Sequence, residues 1–156
     1  MVDAAALVKR IQEMRDEGYL SDAILREMVK LIKPTNTDFN FVGVYLYNAD
    51  EKMLWLHNYV GEPTEHAKIE AGQGVCGTAV AELENQNVAD VTKVENYLAC
   101  SPRTKSELVV LIRAGDEVFG QLDIDARKPN SFSAEEQEAV EMVADKLAEV
   151  FVAERR

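Results

Sequence analysis

Apolar residues recur at helical spacing in the first part of the chain. In residues 2–17 they form one face of a helix and Gly18 follows as a stop, a pattern that predicts an amphipathic helix. Ser21 and Asp22 are candidate N-caps for a second such helix, which must end before Pro34 because proline cannot continue a helix. Two helices are therefore predicted before the first strand.

The middle of the chain changes to a strand pattern. Residues 41–47 and 53–60 are rich in β-branched and aromatic side chains and flank a short turn, as do residues 107–113 and 117–125. Each pair predicts an antiparallel hairpin. Residues 61–106 between the hairpins are the least regular part of the chain and contain both cysteines. Long irregular segments in compact domains are typically functional or disordered.

A long apolar stripe near the end of the chain predicts a third major helix. Ser133, followed three residues later by Glu136, fits a capping box, and apolar residues then recur as far as residue 151. The whole pattern predicts an α+β fold with a central antiparallel sheet, N-terminal helices and a long C-terminal helix, in one domain over residues 1–156.

Composition and charge restrict the partners. The 156 residues are 47% hydrophobic, and the formal net charge is −11. This charge opposes contact with phosphate backbones and anionic lipids, so neither nucleic acid nor membrane is expected as a partner. No stretch resembles a signal peptide or a membrane span, and a cytoplasmic location is expected. Two cysteines and two histidines make a poor zinc set, so neither a metal nor a cofactor is predicted.

The two cysteines are the first candidates for chemistry. Cys76 lies in GQGVCGTA at the start of a short helix predicted over 75–83, where the helix dipole would favour a thiolate. A small buried hydrophobe in a tight turn explains the same position equally well. Cys100 lies in a predicted loop before Ser101, outside any apolar periodic run, so a functional interpretation is favoured there.

Three carboxylates are the second candidates. Glu107 begins one predicted strand, and Asp123 and Asp125 end its hairpin partner, so all three belong to the same end of the sheet. Residues two apart point to the same face of a strand, which pairs Asp123 with Asp125. Because adjacent acids are costly to bury, this face is either solvated, the commoner case, or it binds a cation such as an amine.

The order of these elements and motifs resembles a GAF domain over nearly the whole chain. The resemblance rests on the helices and hairpin at the start, the strands SELVVLIR and VFGQLDID, and the terminal FSAEEQEAVEMVADKLA helix. It implies the GAF fold. Most GAF domains are non-catalytic modules that bind small molecules, so a small-molecule or redox sensor is one functional expectation.

A narrower resemblance is to the free methionine-(R)-sulfoxide reductases, carried by GVCGTAVA, AC at 99–100, SE at 106–107 and LDID at 122–125. It implies that Cys100 is the catalytic nucleophile, Cys76 the resolving cysteine that forms a disulfide with it, and thioredoxin or a similar dithiol the reductant. Glu107 and Asp125 would protonate the sulfoxide oxygen, and Asp123 would hold the substrate ammonium. The remaining substrate-binding side chains would be Phe41, Tyr45 and Tyr59.

Five positions depart from the pattern of these reductases. A further cysteine of many members corresponds to His66 here, and a histidine that precedes the AC pair corresponds to Tyr97. Phe41 replaces a common tryptophan, and Asn58-Tyr59 replaces proline-phenylalanine. These departures imply a single disulfide step and an altered substrate cage. The terminal helices also allow a homodimer, an arrangement that is usual in GAF proteins.

Overall fold

Four α-helices and six strands make up the described part of the chain, which in the computed structural model comprises residues 1–98 and 101–155. The N-terminal helices, the central short helix and the long terminal helix are α1 (Ala4–Asp16), α2 (Ser21–Ile32), α3 (Gly74–Glu82) and α4 (Ala134–Glu154). The strands are β1 (Phe39–Asn48), β2 (Met53–Gly61), β3 (Lys68–Glu70), β4 (Gln86–Val88), β5 (Ser106–Ala114) and β6 (Glu117–Ala126).

All strands described belong to one antiparallel sheet in the order β3-β2-β1-β6-β5-β4. Both predicted hairpins are present, and they meet where β1 pairs with β6. The two edge strands lie within residues 61–106, a segment that the sequence predicted as irregular apart from one short helix. At three residues each, β3 and β4 are too short to show an alternating pattern.

The two faces of the sheet have different coverings. Helices α1, α2 and α4 pack on one face around a large apolar core that includes Leu122 and Ile124 of β6. Helix α3 packs on the other face with a smaller core that includes Tyr45 and Cys76. Because side chains alternate along a strand, Asp123 and Asp125 face α3. The fold therefore places the candidate acids under the short helix that carries Cys76.

Of the two predicted serine caps, the structure contradicts the one at Ser21 and confirms the one at Ser133. Ser21 is the first residue of α2 rather than its N-cap, and its backbone N–H and hydroxyl both donate to the carboxylate of Glu154 in α4. Ser133 does cap α4 by accepting the N–H of Glu136 at 3.1 Å. The Glu136 carboxylate accepts the N–H of Val2 at 3.0 Å, a contact across the fold that local sequence does not reveal.

No helix among the described residues has the length and apolar character needed to cross a bilayer.

Candidate functional site

The strand register brings the three predicted carboxylates together. Asp125 lies opposite Glu107 on β5 and opposite Phe41 on β1. Asp123 lies opposite Gly43 on β1, one pleat further along the same face. The hairpin geometry predicted from sequence is confirmed, and the pairing of β1 with β6 adds the aromatic side of the site.

The thiol of Cys76 completes this cluster from above. Its Sγ lies 3.9 Å from Glu107 Oε2 and has the geometry of a donor to that oxygen. One ligand atom each from Cys76, Glu107 and Asp123 lie within 4.8 Å of one another. These atoms are close enough together to hold one divalent cation, so the expectation of no metal stays a prediction.

All members of the cluster are buried. The exposed fraction is 4% for Cys76 and 3% for Glu107, and it is zero for Asp123 and Asp125. The expectation that the acidic face is solvated is therefore wrong, because α3 packs on this face and the acids are buried. The alternative that remains is a site that compensates buried negative charge with a proton or a cation.

Burial changes the protonation of both aspartates. It raises the pKa of Asp123 above its ordinary value, although neighbouring Glu107 and Cys76 oppose the shift. Burial also raises the pKa of Asp125 well above its ordinary value, and the negative charge of Asp123 raises it further. Burial and a neighbouring like charge both disfavour the ionised carboxylate, so each shift favours the protonated form.

The buried charged side chains in the described residues are all carboxylates, with no lysine or arginine among them: Glu107, Asp123, Asp125 and Glu136. Ionisation at the first three positions is therefore not balanced by a buried basic residue of the described chain. A ligand with an ammonium group matches this requirement in charge. The amine-binding role of this face stays a prediction.

Aromatic side chains form the β1 and β2 side of the site. Phe41 is buried, and its ring stacks on that of the half-exposed Tyr59 with centroids 5.3 Å apart. Gly43 makes room for the Phe41 ring, because a Cβ there would lie 2.8 Å from Phe41 Cε1. Buried Tyr45 donates its hydroxyl hydrogen to the carbonyl of His66 at 2.8 Å. The structure thus brings Phe41 and Tyr59 together, while the hydroxyl of Tyr45 holds the segment before β3.

A polar network next to Asp125 was not foreseen from the sequence. Asn40 Nδ2 donates to Glu62 Oε2 at 3.2 Å and to Thr104 Oγ1 at 3.0 Å. Thr104 Oγ1 lies 3.5 Å from Asp125 Oδ2, in donor geometry. The hydrogen bond from Ser101 to Glu62 is the largest cause that lowers the pKa of Glu62, with Asn40 and Arg103 also contributing. Asn40 precedes Phe41 in β1, but nothing in its sequence context indicates a partner 64 positions away.

Gln121 is a second buried residue that the sequence analysis missed. It is fully buried on the α3 face of β6, two residues before Asp123. Neither its amide nitrogen nor its amide oxygen has a hydrogen-bond partner among the described residues. The alternation of side chains along the strand could have identified it, because Gln121 lies two residues before Asp123 and therefore on the same face.

Cys100, the predicted nucleophile, and Ala99 lie outside the described residues. The residues on either side are described. Leu98 packs against the start of α3, where a Cβ on Gly74 would lie 3.0 Å from Leu98 Cγ. Ser101 is buried and donates to Glu62, as noted above.

The larger surface cavities, of about 490 to 570 Å³, lie along α4, the β5–β6 hairpin and the end of α3. None of those among the described residues is lined by the acids or by Cys76. A smaller depression of about 310 Å³ lies at the network end, lined by Glu62, Pro63, Ser101, Pro102 and Arg103. This depression shares Glu62, Ser101 and Arg103 with the polar network next to Asp125.

Comparison with known proteins gives consistent results. The chain is 31% identical to the free methionine-R-sulfoxide reductase of Escherichia coli over 128 residues, which cover 82% of this chain and 76% of that protein. It superposes on the fRMsr of Staphylococcus aureus in complex with substrate with a TM-score of 0.83 and 33% identity, over 96% of each chain. The free methionine-R-sulfoxide reductase of Neisseria meningitidis in complex with its substrate gives a TM-score of 0.88 and 26% identity, over 97% of this chain and 90% of that one.

These similarities agree with the match of a family model and with the fold. The model described as GAF domain matches residues 21–151, which include all six strands and most of α4. The predicted fold class is confirmed by this match and by the antiparallel sheet with helices on both faces. The chain belongs to the GAF domain family.

Proposed function

We propose that this protein reduces free methionine-(R)-sulfoxide to methionine. The observation that carries the proposal is the buried cluster of Glu107, Asp123 and Asp125 beside the Cys76 thiol, with no buried basic side chain among the described residues. Such a cluster suits a small zwitterion whose ammonium group neutralises an acid and whose oxygen needs a proton. The similarity to reductases of that name supports the same reaction.

Cys100 supplies the nucleophile in this proposal. Its thiolate attacks the substrate sulfur, the sulfoxide oxygen is transferred to the cysteine with uptake of a proton, and methionine is released. The cysteine is thereby oxidised to a sulfenic acid as the sulfoxide is reduced to a thioether. One oxygen and two electrons are exchanged, so the step balances without a cofactor.

Cys76 resolves the sulfenic acid. Its sulfur displaces hydroxide from Cys100, which leaves as water, and a Cys76–Cys100 disulfide forms. Thioredoxin or a similar dithiol then returns both cysteines to thiols and becomes a disulfide itself. This step requires a reducing compartment, consistent with the expected cytoplasmic location. The position of Cys76 beside Glu107 supports the step, because a carboxylate there can accept the thiol proton.

The acids divide two tasks. Neutral Asp125, with its raised pKa, and Glu107 donate the proton that the sulfoxide oxygen takes up. Asp123 binds the substrate ammonium, which lowers the cost of its burial. The stacked rings of Phe41 and Tyr59, with Tyr45 on the same side, form the apolar wall for the methylthio group.

A turnover assay tests the activity. Purified protein with a dithiol reductant should convert free methionine-(R)-sulfoxide to methionine, measured by amino-acid chromatography. The (S)-epimer serves as the matched control substrate and should remain. Cys100→Ser should lose activity entirely, since the nucleophile is absent. Full activity in Cys100→Ser, or no turnover by the wild-type protein, would reject the proposal.

A mass measurement separates the enzyme from a sensor. One equivalent of methionine-(R)-sulfoxide without reductant should remove two hydrogens from the wild-type protein, and Cys76→Ser should instead form methionine once and stop at a sulfenic acid. A non-catalytic GAF sensor would retain its ligand and leave both thiols unchanged.

Sedimentation of the same samples decides whether the protein is a homodimer.

A further inference from the structure

The network beside Asp125 has a defined donor-to-acceptor direction that begins at Glu62. The carboxylate of Glu62 accepts from Ser101 and pairs with Arg103 at 3.0 Å, and these contacts lower its pKa. An ionised carboxylate only accepts hydrogen bonds. The amide atom of Asn40 at 3.2 Å from Glu62 must therefore be its NH₂ group, because the flipped amide would place two acceptors together.

The orientation of Asn40 in turn fixes that of Thr104. Nδ2 carries two hydrogens, of which one is directed to Glu62 and the other to Thr104 Oγ1 at 3.0 Å. The hydroxyl of Thr104 thus accepts from Asn40 and keeps its single hydrogen for another partner. The acceptor within reach is Asp125 Oδ2, at the long distance of 3.5 Å.

The two oxygens of Asp125 are therefore not equivalent. Oδ2 accepts from Thr104, and Oδ1 is buried and receives no hydrogen bond from the described residues. In the described part of the chain, the titratable groups that face Asp125 are Asp123 on its own strand and Glu107 on β5, while β1 presents the uncharged Phe41. From α3, Cys76 reaches Glu107 and Asp123 rather than Asp125.

We propose that Asn40 and Thr104 are positioning residues that hold the proton of Asp125 on Oδ1, by keeping the Thr104 hydroxyl as a donor to Oδ2. Neither residue touches the reacting atoms. This inference rests on the proposed function for its catalytic meaning, since the proton would then lie on the oxygen of Asp125 that does not accept from Thr104. Its structural content, the polarity of the network, is testable without turnover.

An infrared titration tests the polarity directly. The C=O stretch of protonated Asp125 is identified by its loss in Asp125→Asn and followed with pH. Thr104→Val has nearly the same shape as threonine but no hydroxyl, and should move the titration of this band upward because the ionised form loses a donor. Thr104→Ser keeps the hydroxyl and should titrate as the wild-type protein does. An unchanged band in Thr104→Val would overturn the proposal.

Asn40→Leu tests the same hydrogen-bond network at the residue that donates to Thr104. Without the amide donor, nothing fixes the Thr104 hydroxyl as a donor to Asp125. The titration of the band should therefore shift in the same direction as in Thr104→Val. Asn40→Leu combined with Thr104→Val should shift it no further than Thr104→Val alone, because both changes act through one hydroxyl. Additive shifts of the band titration in the double variant would contradict the proposed order of hydrogen bonds. Thermal unfolding of each variant establishes that it is folded.

Kinetics provide the second readout. If the wild-type protein turns over methionine-(R)-sulfoxide, Thr104→Val should lower kcat by about tenfold, within the contribution of a general acid, and move the alkaline limb of the pH profile upward. Thr104→Ser should restore both. Wild-type kinetics in Thr104→Val would count against the proposal, whereas an inactive wild-type protein would reject the proposed function and leave the infrared result decisive.

Discussion

Asp125 combines an unfavourable environment for charge with a position at the centre of the candidate site. It is fully buried, lies on the same strand face as Asp123, and accepts a long hydrogen bond from Thr104. Burial and the charge of Asp123 raise its pKa. Burying an ionisable carboxyl beside a like charge lowers stability, and groups with such shifted pKa values are concentrated at functional sites.

The stability of the protein should therefore depend on Asp125 and on pH. A pKa that is raised in the folded state means that the native protein holds a proton that the unfolded chain releases. Stability is then greatest below the unfolded pKa and falls as pH rises toward the folded pKa. Asp125→Asn removes this loss, so it should raise the free energy of unfolding at pH 8 by about 1–3 kcal/mol, as measured in urea.

The same comparison near pH 3 should give little difference, because this pH lies below the ordinary pKa of an aspartate, about 3.9, and the wild-type carboxyl is then largely protonated in both states. Asp50→Asn, an exposed change in the β1–β2 turn, is the matched control and should stay within about 0.5 kcal/mol at both pH values. A destabilised Asp125→Asn protein at pH 8 would mean that the ionised carboxylate is satisfied in the native state.

At the scale of elements, strong periodic patterns were predictable and short or long-range features were not. The four long strands and the two terminal helix regions have enough residues for a period to appear. The three-residue strands β3 and β4 do not, and they form only because β2 and β5 offer edges to pair with. Ser21 fits a cap signal locally, yet its partner Glu154 lies at the other end of the chain.

The candidate site divides in the same way. Alternation placed Asp123 and Asp125 on one face, and the hairpin brought Glu107 to them, so these acids followed from local rules. Their burial did not, because it depends on which element covers the face. The bond between Asn40 and Thr104 joins residues that are distant in sequence and have no pattern in common. Tertiary contacts of this kind need the folded chain.

Gly43 shows how a strand residue without a side chain shapes the site. A Cβ there would meet the far end of the Phe41 ring at 2.8 Å and Tyr59 Cβ at 3.2 Å, so Gly43→Ala should displace the stacked pair. We expect a stability loss of about 1–3 kcal/mol from overpacking. We also expect kcat/KM for methionine-(R)-sulfoxide to fall by about tenfold or more, since misplaced binding groups cost catalysis.

Gly115→Ala is the matched control for that substitution. Gly115 lies in the β5–β6 turn at φ +60°, where a Cβ would meet nothing within 4 Å. Its cost, about 1 kcal/mol, comes from the left-handed backbone alone, and kcat/KM should not change. If Gly43→Ala lost stability but kept kcat/KM, the Phe41–Tyr59 pair would not belong to the substrate wall.

At the scale of the whole molecule, the charge distribution favours a small ligand with its own positive charge. The chain has a formal net charge of −11, and among the described residues the buried charged side chains are carboxylates. The three acids are buried, and a depression of about 310 Å³ at the network end, lined by Glu62 and Arg103 among others, is of a size for one amino acid rather than a folded partner. The ligand must enter this acidic interior as a compact molecule and bring the balancing charge with it.

The ammonium group of the substrate should therefore decide recognition. N-acetyl-methionine-(R)-sulfoxide keeps the sulfoxide but has no ammonium group, so binding it would leave Asp123 without its counter-charge. Removing one partner of a buried charge pair costs at least about 2 kcal/mol, and kcat/KM should fall by about 30-fold or more in steady-state assays. Methionine-(R)-sulfoxide methyl ester has no carboxylate but keeps the ammonium, and it should lose much less. Equal turnover of the acetylated and free substrates would show that the acids serve proton transfer alone, because a cation-binding role for Asp123 requires that the two substrates differ.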